Sequence, residues 1–223
     1  MSDKSCAGIK TLILAASNRR GSLNHRLGEL AVRAVQKTGA DAELYSLSDF
    51  PCPFYDGDLE KEEGLPQGAL QFGSALKDVD AFLILSPEYN ASIPGELKNL
   101  IDWTSRIRPQ PFNGRQAMLM SASPSMVGGN RGLWSLRIPL EHLGARVYPD
   151  MFSLAQAHKA FREDGSLSDE TLQKRFDDTV GCFLDLVEAA KHFPAVKKQW
   201  IEFLGEHPDV AIDRVETSEA NAA

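Results

Sequence analysis

Three polar clusters in this 223-residue chain, each following an apolar run, hold the side chains best suited to chemistry. The first is Ser17-Asn18-Arg19-Arg20-Gly21-Ser22-Leu23-Asn24. It stands where a strand-like pattern gives way to a helical one. A helix start leaves backbone N–H groups without partners at the positive end of the dipole. Hydroxyls, an amide and guanidiniums around such an end suit a phosphate. The cluster lacks both GK[ST] and GxGxxG, which disfavours a nucleoside triphosphate with magnesium. The plainer alternative is a polar turn with Ser22 as helix cap. The second cluster, Ser86-Pro87-Glu88-Tyr89-Asn90, runs on to Pro94. Its prolines stiffen the backbone and Tyr89 offers a wall to a planar ring. The Asn90 amide and nearby backbone groups can read the polar edge of a heterocycle. The alternative is Tyr89 as packing and Asn90 as a turn former. In the third, Ser121 to Arg131, Gly128 and Gly129 allow close backbone approach to a ligand or positive φ, as an ordinary flexible loop also would.

Other chemistries find less support. His25, His142, His158, His192 and His207 form no HExxH or paired spacing, so no metal site is expected. Cys6, Cys52 and Cys182 show no CxxC, and none lies in the first cluster, which argues against a zinc site, a disulfide framework and a cysteine nucleophile.

The elements that must position these clusters alternate between strand and helix. Apolar runs at 9–16, 42–47, 79–85, 115–122 and from 145 to about 154 read as five strands. Helical spacing follows at 23–38 (ending at Gly39), 67–77, 96–107 and about 131–143. A kink is expected at Pro139. A last helix begins at Ser168 as its cap and carries Leu172, Phe176, Val180, Phe183 and Val187. Residues 48–66 read as a long loop. Five βα units in series predict an α/β fold with a parallel sheet between helix layers. Residues 1–8 form a leading segment, 9–190 the domain, and 191–223 a C-terminal extension. The patch VKKQWIEFL in that extension reads as a short docking helix, and the acidic, alanine-ending tail as disordered.

Composition narrows the partners. A net charge of -7 argues against nucleic acid or an anionic membrane surface as the main partner. No apolar run reaches the roughly 18 residues of a membrane span. The opening MSDKSCAGIK lacks a signal-peptide core, so the expected location is cytoplasmic with reduced thiols.

A strand order of 2-1-3-4-5 would make strands 1 and 3 neighbours, and the switch point between them is where such sheets bind FMN. On LAASNRRGSLN, FYDGDLE, SPEYNASIPGELKNLIDW, SASPSMVGGNRG and LEHLGA, the chain resembles the NAD(P)H-dependent FMN and quinone reductases, which include azo-dye and chromate reducers. The resemblance covers roughly residues 9–187 and implies a flavodoxin-like three-layer sandwich with a five-stranded sheet of order 2-1-3-4-5. It also implies FMN as cofactor and NADPH or NADH as donor. Hydride would pass through FMN to a quinone-like, azo, metal-oxyanion or flavin acceptor, donor and acceptor using one face in turn by ping-pong kinetics. By the same resemblance Ser17, Arg19, Ser22, Leu23 and Asn24 bind the phosphate. Pro87, Glu88, Tyr89 and Asn90 flank the ring, with Tyr89 and Asn90 nearest it, and Ser123 and Gly129 belong to the third loop. A homodimer or homotetramer is implied as well, with Tyr55, Trp134 and Trp200 as exposed aromatics available for association. Ala16 and Ser125 stand where the family usually has glycine, which would tighten those loops or weaken flavin binding. Two other readings of the same fold are a flavodoxin-type electron carrier, which would exchange electrons with a protein instead of NAD(P)H, and a flavin-free interaction protein, which would stay colourless with added FMN.

Overall fold

The structure, a computed structural model, describes residues 6–192. Its strands are β1 (Lys10–Ala15), β2 (Asp41–Ser46), β3 (Ala81–Leu85), β4 (Gln116–Ala122), β5 (Arg146–Val147) and β6 (Phe152–Leu154). They form one parallel sheet in the order β2-β1-β3-β4-β5, with β6 also paired to β4. This is the order expected from the sequence. The helices are α1 (Leu23–Lys37), α2 (Gly57–Glu63), α3 (Gln67–Lys77), α4 (Gly95–Thr104), α5 (Asn130–His142) and α6 (Glu170–His192).

The apolar runs are near-continuous because both faces of the sheet are covered. Side chains alternate between faces along each strand. Ile13, Leu83, Met118 and Met120 join Leu27, Ala31, Phe176 and Phe183 in the core beneath α1 and α6. Leu12, Leu14, Ile84 and Leu119 point the other way, into a second core with Phe72, Leu97, Leu100 and Leu136 from α3, α4 and α5. The central strands are thereby fixed by packing on two sides, and their carboxyl ends emerge together. Gly39 ends α1 with a φ of 87°, as its position predicts.

Four expectations need correction or refinement. The run from 145 to 154 is two strands, not one. From Val147 to Phe152 the chain takes five steps while its partner on β4, Ala117 to Met120, takes three, so two extra residues loop out. Pro149 lies in that bulge, where its missing N–H costs no ladder bond. Residues 48–66 hold more order than a loop. The Asp56 carboxylate accepts the N–H groups of Asp58 and Leu59 and so caps α2, a helix too short and too polar to show an apolar period. The last helix is capped by Asp169, whose carboxylate accepts the Leu172 N–H, while the Ser168 hydroxyl donates to the Ala160 carbonyl. Finally, α5 is a single helix through Pro139, which sits in its last turn. The docking-helix and disorder readings of the C-terminal extension lie outside the described residues.

Candidate functional site

The three clusters leave the sheet at one rim. Backbone pairing carries on past the strand ends: the Ala16 N–H donates to Leu85 O and the Ser86 N–H to Met120 O, both at 2.9 Å. The loops that follow β1, β3 and β4 therefore start level with one another.

Loop one runs from Ser17 to Ser22. The Ser22 hydroxyl caps α1 by accepting the His25 N–H at 3.4 Å. The N–H groups of Leu23 and Asn24, in the first turn, have no intrahelical partner. Arg19 and Arg20 are exposed, and among the described residues neither has a carboxylate in salt-bridge range. A cavity of about 380 Å³ opens here, and Ser17, Arg19, Arg20, Ser22, His25 and Ser46 help line it. A larger cavity of about 460 Å³ sits at the opposite end of the sheet, between Lys10, Glu43 and Asp78. It mixes both signs of charge and lies away from the strands' carboxyl ends.

Asn24 is the residue whose side chain does something other than the sequence suggests. It is 3% exposed. Its amide Nδ2 donates to Ala122 O at 3.1 Å, and its Oδ1 accepts the Ala122 N–H at 2.9 Å. That reciprocal pair locks the start of α1 to the end of β4. The Asn24 side chain is thereby committed to Ala122, and its backbone N–H lies in the first turn of α1. Asn18 ties the same loop to α4 by donating to Glu96 Oε1 at 2.6 Å.

In loop two, Tyr89 and Ser92 exchange both backbone hydrogen bonds, at 2.9 and 3.0 Å. Between them Asn90 and Ala91 have φ of 52° and 63°. Positive φ at both central residues is the type I′ hairpin pattern. Asn tolerates it, but Ala91 is strained by about 1–2 kcal/mol. The hairpin holds the Tyr89 side chain outward at 54% exposure.

Glu88 joins loop two to loop three. Its carboxylate accepts the Arg131 N–H at 3.0 Å and the Gly132 N–H at 3.3 Å, and pairs with the Arg131 guanidinium. It thus fills the N-terminus of α5. Burial opposes the charge on Glu88, but the bonds from Arg131 and Gly132 outweigh it and hold its carboxyl below the ordinary value. Gly129 has a φ of 85°, and a Cβ there would fall 2.0 Å from Ser121 Oγ. That buried hydroxyl has no hydrogen-bond partner among the described residues. The Ser123 hydroxyl braces the loop by accepting the Ser125 N–H at 3.2 Å.

The structure brings together Ser17, Arg19, Ser22, Leu23, Asn24, Pro87, Glu88, Tyr89, Asn90, Ser123 and Gly129 along one rim. Reading by motif placed Arg20 in the first cluster without naming it a phosphate ligand, and missed Arg26, Ser46 and Ser48 as wall residues of this cavity. Ser46 ends β2 and Ser48 follows it, and only the sheet order places them beside loop one. Neither Ala16 nor Ser125 has positive φ, so the backbone conformation at these two positions does not call for glycine.

A family model described as NADPH-dependent FMN reductase matches residues 9–159. The chain belongs to that family. It is 35% identical over 164 residues to an NAD(P)H-dependent FMN reductase of Pseudomonas aeruginosa, covering 73% of this chain and 86% of the relative. It is 29% identical over 185 residues to a quinone reductase of Escherichia coli, covering 82% and 97%. Among solved structures it resembles FerB, a flavoenzyme NAD(P)H:(acceptor) oxidoreductase of Paracoccus denitrificans, with a TM-score of 0.69, 28% identity and coverage of 81% and 98%. The fold is flavodoxin-like, and the protein is an oxidoreductase of FMN and a nicotinamide donor. The rim fits that cofactor. Unpaired arginines and free helix N–H groups stand at one end, and at the other Gly129 keeps the backbone clear beside an outward-facing aromatic.

Proposed function

We propose that this protein passes reducing equivalents from NAD(P)H to a small acceptor of the quinone, azo, metal-oxyanion or flavin type, with residues 9–190 as the FMN-binding domain. The observation that carries the reading is the convergence of three loops at the carboxyl ends of β1, β3 and β4, with an arginine-lined cavity at one end and Tyr89 exposed at the other. Ser17, Arg19 and Ser22, with the N–H groups of Leu23 and Asn24, would hold the phosphate. Pro87, Glu88, Tyr89, Asn90, Ser123 and Gly129 would flank the ring. When bound, FMN supplies the redox chemistry, taking hydride from the nicotinamide and yielding electrons to the acceptor.

The chain's own part is positioning. Arg19 and Arg20 offer positive charge where the phosphate is expected, and charge-assisted bonds are the stronger kind. Glu88 fixes loop two against α5. The Asn90-Ala91 hairpin presents backbone groups and Tyr89 on a stiff support, which favours preorganised binding. Donor and acceptor would use one face of the ring in turn.

We further infer a homodimer or homotetramer. Trp134 and Ile138, one turn apart on α5, are 57% and 74% exposed. Such an aromatic-aliphatic stripe is typical of interface cores. Tyr55 is partly committed within the chain, its ring lying 4.9 Å edge-on from Trp103 and its hydroxyl donating to Glu60. Trp200 lies outside the described residues. Three free thiols accord with a cytoplasmic setting, and among the described residues no helix is long and apolar enough to cross a membrane.

The test is steady-state oxidation of NAD(P)H with a quinone and added FMN. Parallel initial-velocity lines are expected at varied quinone. Intersecting lines that require a ternary complex would overturn the shared-face reading.

A further inference from the structure

The cavity beside loop one is larger and more cationic than one phosphate group needs. Its volume of about 380 Å³ is lined by Arg19, Arg20 and Arg26. That is room for roughly a dozen water molecules, and a single phosphate fills only part of it. The three arginines are not equivalent. Arg26 is committed: its guanidinium lies 4.6 Å from the centroid of the Phe161 ring and donates to Arg162 O at 3.4 Å. Glu29, the carboxylate on the cavity wall, is turned to His25 at 3.8 Å. Arg20 is exposed and, among the described residues, has no carboxylate in salt-bridge range. Arg19 answers to the cofactor phosphate on the reading above, which leaves the Arg20 guanidinium over.

The cavity also extends to a side that the flavin ring does not need. β1 pairs with β2 along one edge and with β3 along the other. The loops that would flank the ring follow β3 and β4, so a flavin held at loop one extends toward those strands. Ser46 and Ser48 come from the opposite side, at the end of β2, and line the same cavity. With neighbouring strands about 4.8 Å apart, the end of β2 lies about 14 Å from that of β4 across the sheet. This flank of loop one offers a free guanidinium and two hydroxyls, donors that suit a second phosphate.

The donor brings phosphate of its own. NADH and NADPH share a pyrophosphate and differ in the 2′-phosphate on the adenosine ribose. An extended dinucleotide holds that ribose well away from its nicotinamide, and a nearby arginine is what accommodates a 2′-phosphate in dinucleotide sites.

We propose that Arg20, with the hydroxyls of Ser46 and Ser48, binds the 2′-phosphate of NADPH and so sets a preference for NADPH over NADH. This assignment rests on the flavin reading of the rim.

The experiment measures kcat/KM for NADPH and for NADH in the parent, in Arg20→Ala and in Arg19→Ala, all saturated with FMN. The parent is expected to favour NADPH by at least about tenfold, the scale of a hydrogen bond to a charged group, and Arg20→Ala should lose most of that ratio. Arg19→Ala should keep the parent's ratio. A parent that favours neither donor would overturn the proposal. So would an Arg20→Ala chain that loses both activities in equal proportion, since Arg20 would then serve the cofactor phosphate or the shared pyrophosphate. A titration without turnover gives an independent reading, with adenosine 2′,5′-bisphosphate and AMP as probes that differ only in the 2′-phosphate. The bisphosphate should bind the parent at least about tenfold more tightly than AMP, and Arg20→Ala should bind the two alike. Equal affinities in the parent would contradict the assignment. That binding preference in a parent that oxidises neither donor would uphold the 2′-phosphate site and sink the reductase reading instead.

Discussion

Arg19 and Asn24 lie five positions apart and divide the labour of loop one. Arg19 is exposed and free to meet an anion, whereas Asn24 is buried and committed to Ala122. Replacing Asn24 with alanine would leave the N–H and carbonyl of Ala122 unsatisfied in a buried place, at a cost of about 2–4 kcal/mol. Denaturant unfolding of Asn24→Ala checks this, and a loss below about 1 kcal/mol would show that the bridge is dispensable. Ala91 gives the opposite prediction. Its left-handed backbone costs about 1–2 kcal/mol for a residue with a Cβ, while glycine would add about 0.5–1 kcal/mol of unfolded-state entropy. Ala91→Gly should therefore raise stability by about 0.5–1 kcal/mol, read as a higher melting temperature. A lowered one would mean that the Ala91 methyl packs usefully in the native hairpin.

Between elements, the Glu88 carboxylate is the clamp that seats α5 against loop two. Its folded-state carboxyl lies below the ordinary value of 4.5, so the clamp contributes stability above that value and loses it as pH falls through the depressed one. Glu88→Gln should be less stable than the parent at neutral pH, with the gap closing in acid. Melting curves from pH 7 down to pH 3 check the sign, and a constant gap would show that the charge is not what matters. At this scale the sequence was most legible where periodicity was long. The central strands and α1, α3 and α4 follow from apolar spacing, and the motif order placed the loops. What it could not show has physical causes. α2 is seven residues long and has no buried residue, so no apolar period marks it. The bulge around Pro149 depends on pairing with β4, which a single strand's pattern does not contain. The Asn24 bridge spans 98 residues of sequence, and an asparagine beside a presumed phosphate loop reads as a ligand until its partner is seen. The cavity wall from Ser46 and Ser48 likewise required the neighbour relation of β1 and β2.

The molecule as a whole carries a net charge of -7, yet loop one gathers Arg19, Arg20 and Arg26 around one cavity. On the proposed reading, such a pocket in an acidic protein would focus an anion, since the wider field discourages nonspecific polyanions while nearby guanidiniums favour a phosphate. Two packed cores hold the sheet rigid beneath it, which is why loops from three separate strands can act as one rim. The measurement that bears most directly on this rim is a paired titration of the full chain with FMN and with riboflavin, which share a ring and differ in the phosphate. FMN should bind at least about tenfold more tightly, and Arg19→Ala should weaken FMN alone by about 1.5–3 kcal/mol, the scale of a hydrogen bond to a charged group. Equal affinity for the two ligands, or an Arg19→Ala chain that holds FMN as well as the parent does, would contradict a phosphate grip by loop one.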